Sequence, residues 1–164
     1  MHKPIVAVVT IALALLTSGL VSIAKAQEER TLTTTTVADG LYMIEGAVGN
    51  IGVLTGPDGV VLIDDGLEPV AQQVLDTVRT LTGAEVDFVV NTHLHRDHTG
   101  GNVLFKESGA TMIAHDNIRR RMIADAEKDG SQPAKAALPE LTFSESATFH
   151  LNGREAFVFH LPHA

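Results

Sequence analysis

The chain contains no cysteine. Disulfides therefore cannot staple it, and no N-terminal cysteine can carry a lipid. The fold must hold by its apolar core, with help from any metal it binds. Basic charge is also scarce, with twelve Lys+Arg against twenty Asp+Glu. Residues 1–26 contain two of those basic residues and none of the acidic ones, so residues 27–164 carry a formal charge of −10. That sign excludes nucleic acid and anionic lipid as natural partners, although it selects no substrate. There is no internal repeat, and no low-complexity tract beyond Thr33 to Thr36. At 164 residues the chain suffices for one domain and is short for two.

The N-terminus reads as an export signal. Lys3 gives it a positive start, Ile5 to Ile23 is largely apolar, and Ala24-Lys25-Ala26 supplies a small-x-small cleavage pattern. Residues 1–26 are thus expected to be a signal peptide, with Gln27 as the mature N-terminus. The apolar run is nearly long enough to span a bilayer, so an uncleaved anchor is the alternative. The cleavage pattern directly after the run argues against it. The expected product is a periplasmic or secreted domain, residues 27–164, free of the membrane after cleavage. Its oligomeric state is open.

Residues 27–36 are polar and threonine-rich, and read as an extended leader. Strand patterns follow at Leu41 to Glu45, Asn50 to Leu54 and Val60 to Ile63, the last two separated by the turn sequence Gly56-Pro57-Asp58-Gly59. Val70, Val74, Val78 and Leu81 recur at helical spacing, with Pro69 suited to the first turn and Gly83 to the stop. Val86 to Val90 reads as a buried strand, Asn102 to Lys106 as a short helix and Thr111 to Ala114 as a strand. Asp116 can cap a helix whose apolar positions are Ile118, Met122, Ile123 and Ala126. Asp129 to Pro139 is a loop, or a lid. The end is a hairpin: Thr148 to Leu151, the turn Asn152-Gly153, then Glu155 to Leu161. Meanders mixed with strand–helix–strand units predict a mixed sheet with helices on one face.

Directly after the Val86 strand comes Asn91-Thr92-His93-Leu94-His95-Arg96-Asp97-His98-Thr99-Gly100-Gly101-Asn102. Three histidines and an aspartate fall within six residues, a ligand set for two adjacent divalent ions. Side chains two apart in extended backbone point the same way, so His93 and His95 can converge on one ion. Asp97 and His98 are neighbours whose side chains diverge toward a nearby point. Imidazole nitrogen and carboxylate oxygen both suit zinc. Gly100-Gly101 permits a tight backbone turn behind the ligands, and Thr99 or Asn102 is placed to support them by hydrogen bonds. A metal-held hydroxide attacks carbonyl or phosphoryl centres at neutral pH, with Asp97 as both ligand and orienting group. A purely structural origin for so dense a motif is the minor alternative.

The segment His93 to Gly101 resembles the signature of the metallo-β-lactamase superfamily. The preceding meander, the Val-Leu-Ile-Asp strand ending at Asp64, and Gly66 are similar to that family's opening. The resemblance covers residues from about 37 onward. It implies a four-layer αββα sandwich with metals at one edge, of which this chain supplies mainly the N-terminal half. Histidine at position 98 resembles the broad hydrolase branch: glyoxalase II-like thioesterases, lactonases and one smaller β-lactamase subclass. The commonest β-lactamase subclass carries arginine there. The resemblance implies a zinc-dependent hydrolase of a small-molecule ester, thioester, lactone or β-lactam-type carbonyl. His93, His95, Asp97 and His98 are its expected metal ligands, and Asp97 is also catalytic. Zinc is the expected cofactor, as two ions in the complete protein, with iron or manganese as alternatives. Asp64 resembles an aspartate that buttresses the metal loop; otherwise it caps a turn.

The chain departs from the family in one respect. The family's third histidine, bridging aspartate and last histidine would lie beyond Ala164, so an N-terminal fragment of a longer enzyme is expected. His163 with a shifted register is the alternative third ligand. His160 belongs with the last strand, and His115 and His150 lack ligand context. Two other functions fit the same residues: a truncated metal-binding fragment without activity, and an iron-dependent redox member of the superfamily.

Overall fold

The computed structural model describes residues 30–131 and 135–162. The expected signal peptide and His163 lie outside the described residues, as does part of the expected loop after Asp129. Among the described residues, no helix is long and apolar enough to cross a membrane.

The first four strands form an antiparallel meander: β1 (Thr33–Ala38), β2 (Leu41–Ala47), β3 (Gly49–Gly56) and β4 (Gly59–Ile63). The threonine tract expected as a leader is therefore an edge strand, with Thr34 opposite Ile44 and Thr35 opposite Met43. β-branched residues suit a pleated edge, and every residue of β1 is exposed. The sheet continues from β4 through β5 (Phe88–Asn91), β6 (Thr111–His115) and β7 (Leu141–Phe143), all parallel. Seven strands thus lie side by side in chain order.

Parallel neighbours need crossovers, and helices supply them. α1 (Ala71–Thr82) joins β4 to β5 and buries Val74, Leu75 and Val78. It stops at Gly83, whose φ of 70° lets its N–H return to the Arg79 carbonyl. Glu68–Val70 forms a separate 3-10 turn, so α1 begins one residue after the expected start of apolar spacing. α2 (Arg96–Thr99) and α3 (Asn102–Glu107) lie between β5 and β6, and α4 (Asp116–Lys128) between β6 and β7. The N-cap of α4 is His115, whose Nδ1 accepts the Asn117 N–H at 3.1 Å. Asp116 is instead the first helical residue, where its charge opposes the positive helix end. Only Ile118 of this helix is fully buried; Met122, Ile123 and Ala126 are half-buried.

Alternation along the central strands divides the core. Val60, Leu62, Val89 and Met112 face the helices and pack with Val74, Leu75, Val78 and Phe105. Val61, Val90 and Ile113 face the other way, toward Phe149, Leu151 and Val158. Those three belong to a hairpin of β8 (Ser146–Leu151) and β9 (Arg154–Phe159), a second sheet of two strands. Its turn residues Asn152 and Gly153 both have positive φ, as the Asn-Gly sequence requires. The turn clasps the β3–β4 turn reciprocally. The Asp58 N–H donates to Asn152 Oδ1 (2.8 Å), the Asn152 N–H to Asp58 Oδ2 (2.6 Å), and Asn152 Nδ2 to the Gly59 carbonyl (2.9 Å).

Candidate metal centre

The parallel strands β4 and β5 end side by side, at Ile63 and Asn91. Loops that follow such strand ends form a crevice where sites are commonly built. Here the two loops are laced together. The Asp64 N–H donates to the Val90 carbonyl, the Asp65 N–H to the His98 carbonyl, and the Gly100 N–H to the Gly66 carbonyl. The glycines at 100 and 101 serve close approach rather than a left-handed turn, because the residues have φ of −69° and −81°. A Cβ on Gly100 would lie 2.5 Å from the Glu68 nitrogen and 2.6 Å from the Arg96 carbonyl oxygen. A Cβ on Gly101 would lie 2.8 Å from the Asp65 carbonyl oxygen.

Thr99 and Asn102 brace the loop without reaching an imidazole, contrary to their expected place beside the ligands. Thr99 Oγ1 donates to the Leu94 and His95 carbonyls. Asn102 is buried and donates to Asn91 Oδ1 and the Ala137 carbonyl. Asn91 in turn donates from Nδ2 to the His98 carbonyl at 3.0 Å. The sequence pattern marks no role for Asn91 or Thr92, whose only signal is position, directly before the histidines.

The four sequence-predicted donors come together as two pairs. His93 and His95 lie in the loop, and Asp97 and His98 in the one-turn helix α2. His93 Nε2 is 3.2 Å from His95 Nδ1, and Asp97 Oδ2 is 3.2 Å from His98 Nε2. Two ligands held at roughly 2.0–2.2 Å by one tetrahedral zinc lie about 3.3–3.6 Å apart. Both pairs are close to that separation. The pairs adjoin, since the His93 and His98 ring centroids are 3.9 Å apart.

Asp64 decides which nitrogens are available. Its Oδ1 accepts the Thr92 N–H at 2.7 Å, and its Oδ2 accepts Thr92 Oγ1–H and His98 Nδ1–H, each at 2.7 Å. Ligand atoms of Asp64, His93 and His98 lie within 4.8 Å of one another. Asp64 accepts three hydrogen bonds, two from Thr92 and one from His98, and so braces the loop that carries the histidines. With Nδ1–H committed to Asp64, the neutral form of His98 turns a bare Nε2 toward the Asp97 carboxylate oxygen at 3.2 Å. Two acceptors at that distance require a cation or a proton between them. This donor set, imidazoles and carboxylate without thiolate, fits a divalent ion such as zinc, and equally iron or manganese.

Burial, then the neighbouring His98, lowers the pKa of His93, which favours its neutral, ligating form. Behind the loop, Asp65 is fully buried; desolvation pushes its pKa well up, against the lowering effect of the Gly101 N–H bonded to Oδ1. The remaining described histidines are elsewhere. His115 caps α4, donates from Nε2 to the Ser144 carbonyl, and stacks on His160 at 3.9 Å. His150 is exposed beside Glu155. An open groove of about 790 Å³ adjoins His95 and Arg96, walled by Leu67, Leu94, Val103 and Met122.

A family model described as the metallo-beta-lactamase superfamily matches residues 44–164. No curated protein matches the chain. Among solved structures, it is similar to a metallo-beta-lactamase with a HARLDQ motif from Cronobacter sakazakii. The identity is 26%, with a TM-score of 0.60, over 73% of this chain and 49% of that one. It is also similar to BJP-1, a subclass B3 metallo-beta-lactamase of Bradyrhizobium japonicum (21% identity, TM-score 0.61, 81% and 53% covered). A third is the metallo-beta-lactamase FIM-1 from Pseudomonas aeruginosa, in its mono-zinc form (21%, TM-score 0.56, 77% and 57%). The chain spans about half the length of these structures.

Proposed function

Because the chain belongs to the metallo-beta-lactamase superfamily, we propose that it is a zinc-dependent hydrolase acting on the carbonyl of a small ester, thioester, lactone or β-lactam. The observation that carries this reading is the pairing of donors: His93 Nε2 with His95 Nδ1, and Asp97 Oδ2 with His98 Nε2, each at 3.2 Å. His93 and His95 would hold one ion, Asp97 and His98 the second. When bound, such ions acidify a coordinated water to a pKa of about 7 and polarise a carbonyl.

The chain's own residues do the rest. Asp64 takes the proton of His98 Nδ1 as a hydrogen bond and so keeps Nε2 bare. Asp97 is partly exposed, so its carboxylate meets both the site and the solvent and can orient an attacking water. The groove beside His95 supplies apolar walls for the acyl portion of a substrate, through Leu67, Leu94 and Val103. Removal of residues 1–26 would leave the enzyme outside the cytoplasm.

The test is metal analysis and zinc calorimetry on the full-length protein, with hydrolysis assays across esters, thioesters, lactones and β-lactams. Stoichiometric zinc and turnover of one of these classes are expected, both abolished by His95→Ala. Zinc binding that survives His95→Ala unchanged would sink the reading.

A further inference from the structure

We infer that Thr92 is a positioning residue: its hydroxyl relays the Asp64 carboxylate to His93 and locks that imidazole in the Nδ1–H tautomer, leaving Nε2 bare toward His95. The inference rests on the metal-site reading above, but its argument is a count of protons. A threonine hydroxyl has one proton and two lone pairs. Thr92 Oγ1 lies 2.7 Å from Asp64 Oδ2 and 3.1 Å from His93 Nδ1. The carboxylate can only accept, so the hydroxyl proton goes to Asp64. What Thr92 then shows His93 is a lone pair, and the contact is a hydrogen bond only if His93 Nδ1 donates. The opposite routing would set two acceptor oxygens against each other at 2.7 Å.

Nor is the hydroxyl free to turn away cheaply. The Thr92 N–H is clamped to Asp64 Oδ1 at 2.7 Å, so backbone and side chain grip the same carboxylate. Asp64 Oδ2 also receives His98 Nδ1–H. A single buried oxygen, 28 residues from Thr92 and 34 from His98 in sequence, therefore sets the tautomer of one histidine in each donor pair. His98 is set directly, and His93 through Thr92. Which ring nitrogen is free to ligate is fixed by what the other one bonds.

The experiment is two-bond nitrogen–proton correlation NMR of the histidine rings in the full-length, metal-free protein at pH 8. It compares wild type with Thr92→Val and Thr92→Ser, alongside calorimetric titration with zinc alone. Wild type is expected to show His93 as Nδ1–H. Thr92→Val should lose that signature, and Thr92→Ser should restore it. His98 should stay Nδ1–H in all three. Zinc affinity should fall about 10–100-fold in Thr92→Val and recover in Thr92→Ser. If Thr92→Val does not fold, Thr92→Ala makes the same comparison. An unchanged His93 tautomer in the hydroxyl-free variant, or no restoration by serine, overturns the inference even if zinc binds. If zinc binds to none of the forms while the tautomers move as described, the metal reading fails and the relay stands.

Discussion

Asp64 occupies the left-handed region, with φ of 64°, a conformation that aspartate and asparagine tolerate better than other side chains. Asp64→Asn should therefore fold nearly as well as wild type. If its one oxygen keeps the Thr92 N–H, its NH2 group faces Thr92 Oγ1 and His98 Nδ1. His98 must then accept at Nδ1 and carry its proton on Nε2, where the proposed metal site needs a lone pair. Zinc affinity should drop about 10–100-fold with little change in Tm, read by calorimetry and thermal melting. Asp65 gives a different signature. Its folded pKa is raised by burial, so ionising it costs stability; the cost is absent below the unfolded pKa and grows as pH rises toward the folded value. Asp65→Asn removes that cost while its carbonyl oxygen can still accept the Gly101 N–H. The stability of the variant relative to wild type should rise between pH 4 and pH 8 in urea titrations. Gly100→Ala would press a methyl group onto backbone atoms of Gly66, Glu68 and Arg96 and should destabilise by at least about 1–3 kcal/mol in the same titrations. At this scale the approach of His93 to His95 and of Asp97 to His98 was legible because the four fall within six residues and need only local geometry to meet. Thr92 and Asp64 became partners through contacts that span 28 residues, which no local pattern encodes. The double glycine was legible as important, but the reason assigned to it, a tight turn, was replaced by backbone crowding.

Among the elements, the strands with strong apolar runs and the helix with regular valine spacing followed directly from periodicity. The threonine tract did not, because an exposed edge strand has no buried face to generate a pattern. α2 is a single turn, too short to show any period, and it is the element that carries Asp97 and His98. α4 was found from its apolar spacing, while its cap was placed one residue late because histidine is rarely considered as an acceptor. The Asn152-Gly153 hairpin was explicit in sequence; its clasp on Asp58 was not. Asn152→Gly keeps the positive φ available and deletes only the side-chain bonds. It should cost about 1–2 kcal/mol, and speed amide exchange at Asp58 more than in α1, measured by hydrogen-exchange mass spectrometry.

For the molecule as a whole, helix layer, seven-stranded sheet and hairpin form the N-terminal half of a metallo-β-lactamase fold. The absence of cysteine puts the stabilising role on the core and, under the proposed function, on the ions. Zinc at 100 times its Kd should add about 2.7 kcal/mol of stability. A chelator should reverse this, and so should lowering the pH toward 5, because protons compete with a metal ion for its nitrogen ligands. Thermal melts with and without zinc and chelator, at both pH values, check it.

The sequence separations of the contacts in the turn-to-turn clasp and the histidine loop also bear on the order in which they are expected to form. The clasp's bonds connect residues 94 apart, whereas the contacts that assemble the histidine loop on Asp64 close 28 to 34 residues. The length-dependent part of loop-closure entropy is about 4 kcal/mol for the former and about 3 kcal/mol for the latter. During folding, the donor loop can therefore be set on its strand ends while the hairpin is still searching for its seat. Under the proposed function, a nascent or refolding chain would then be able to capture metal ions before its second sheet has docked.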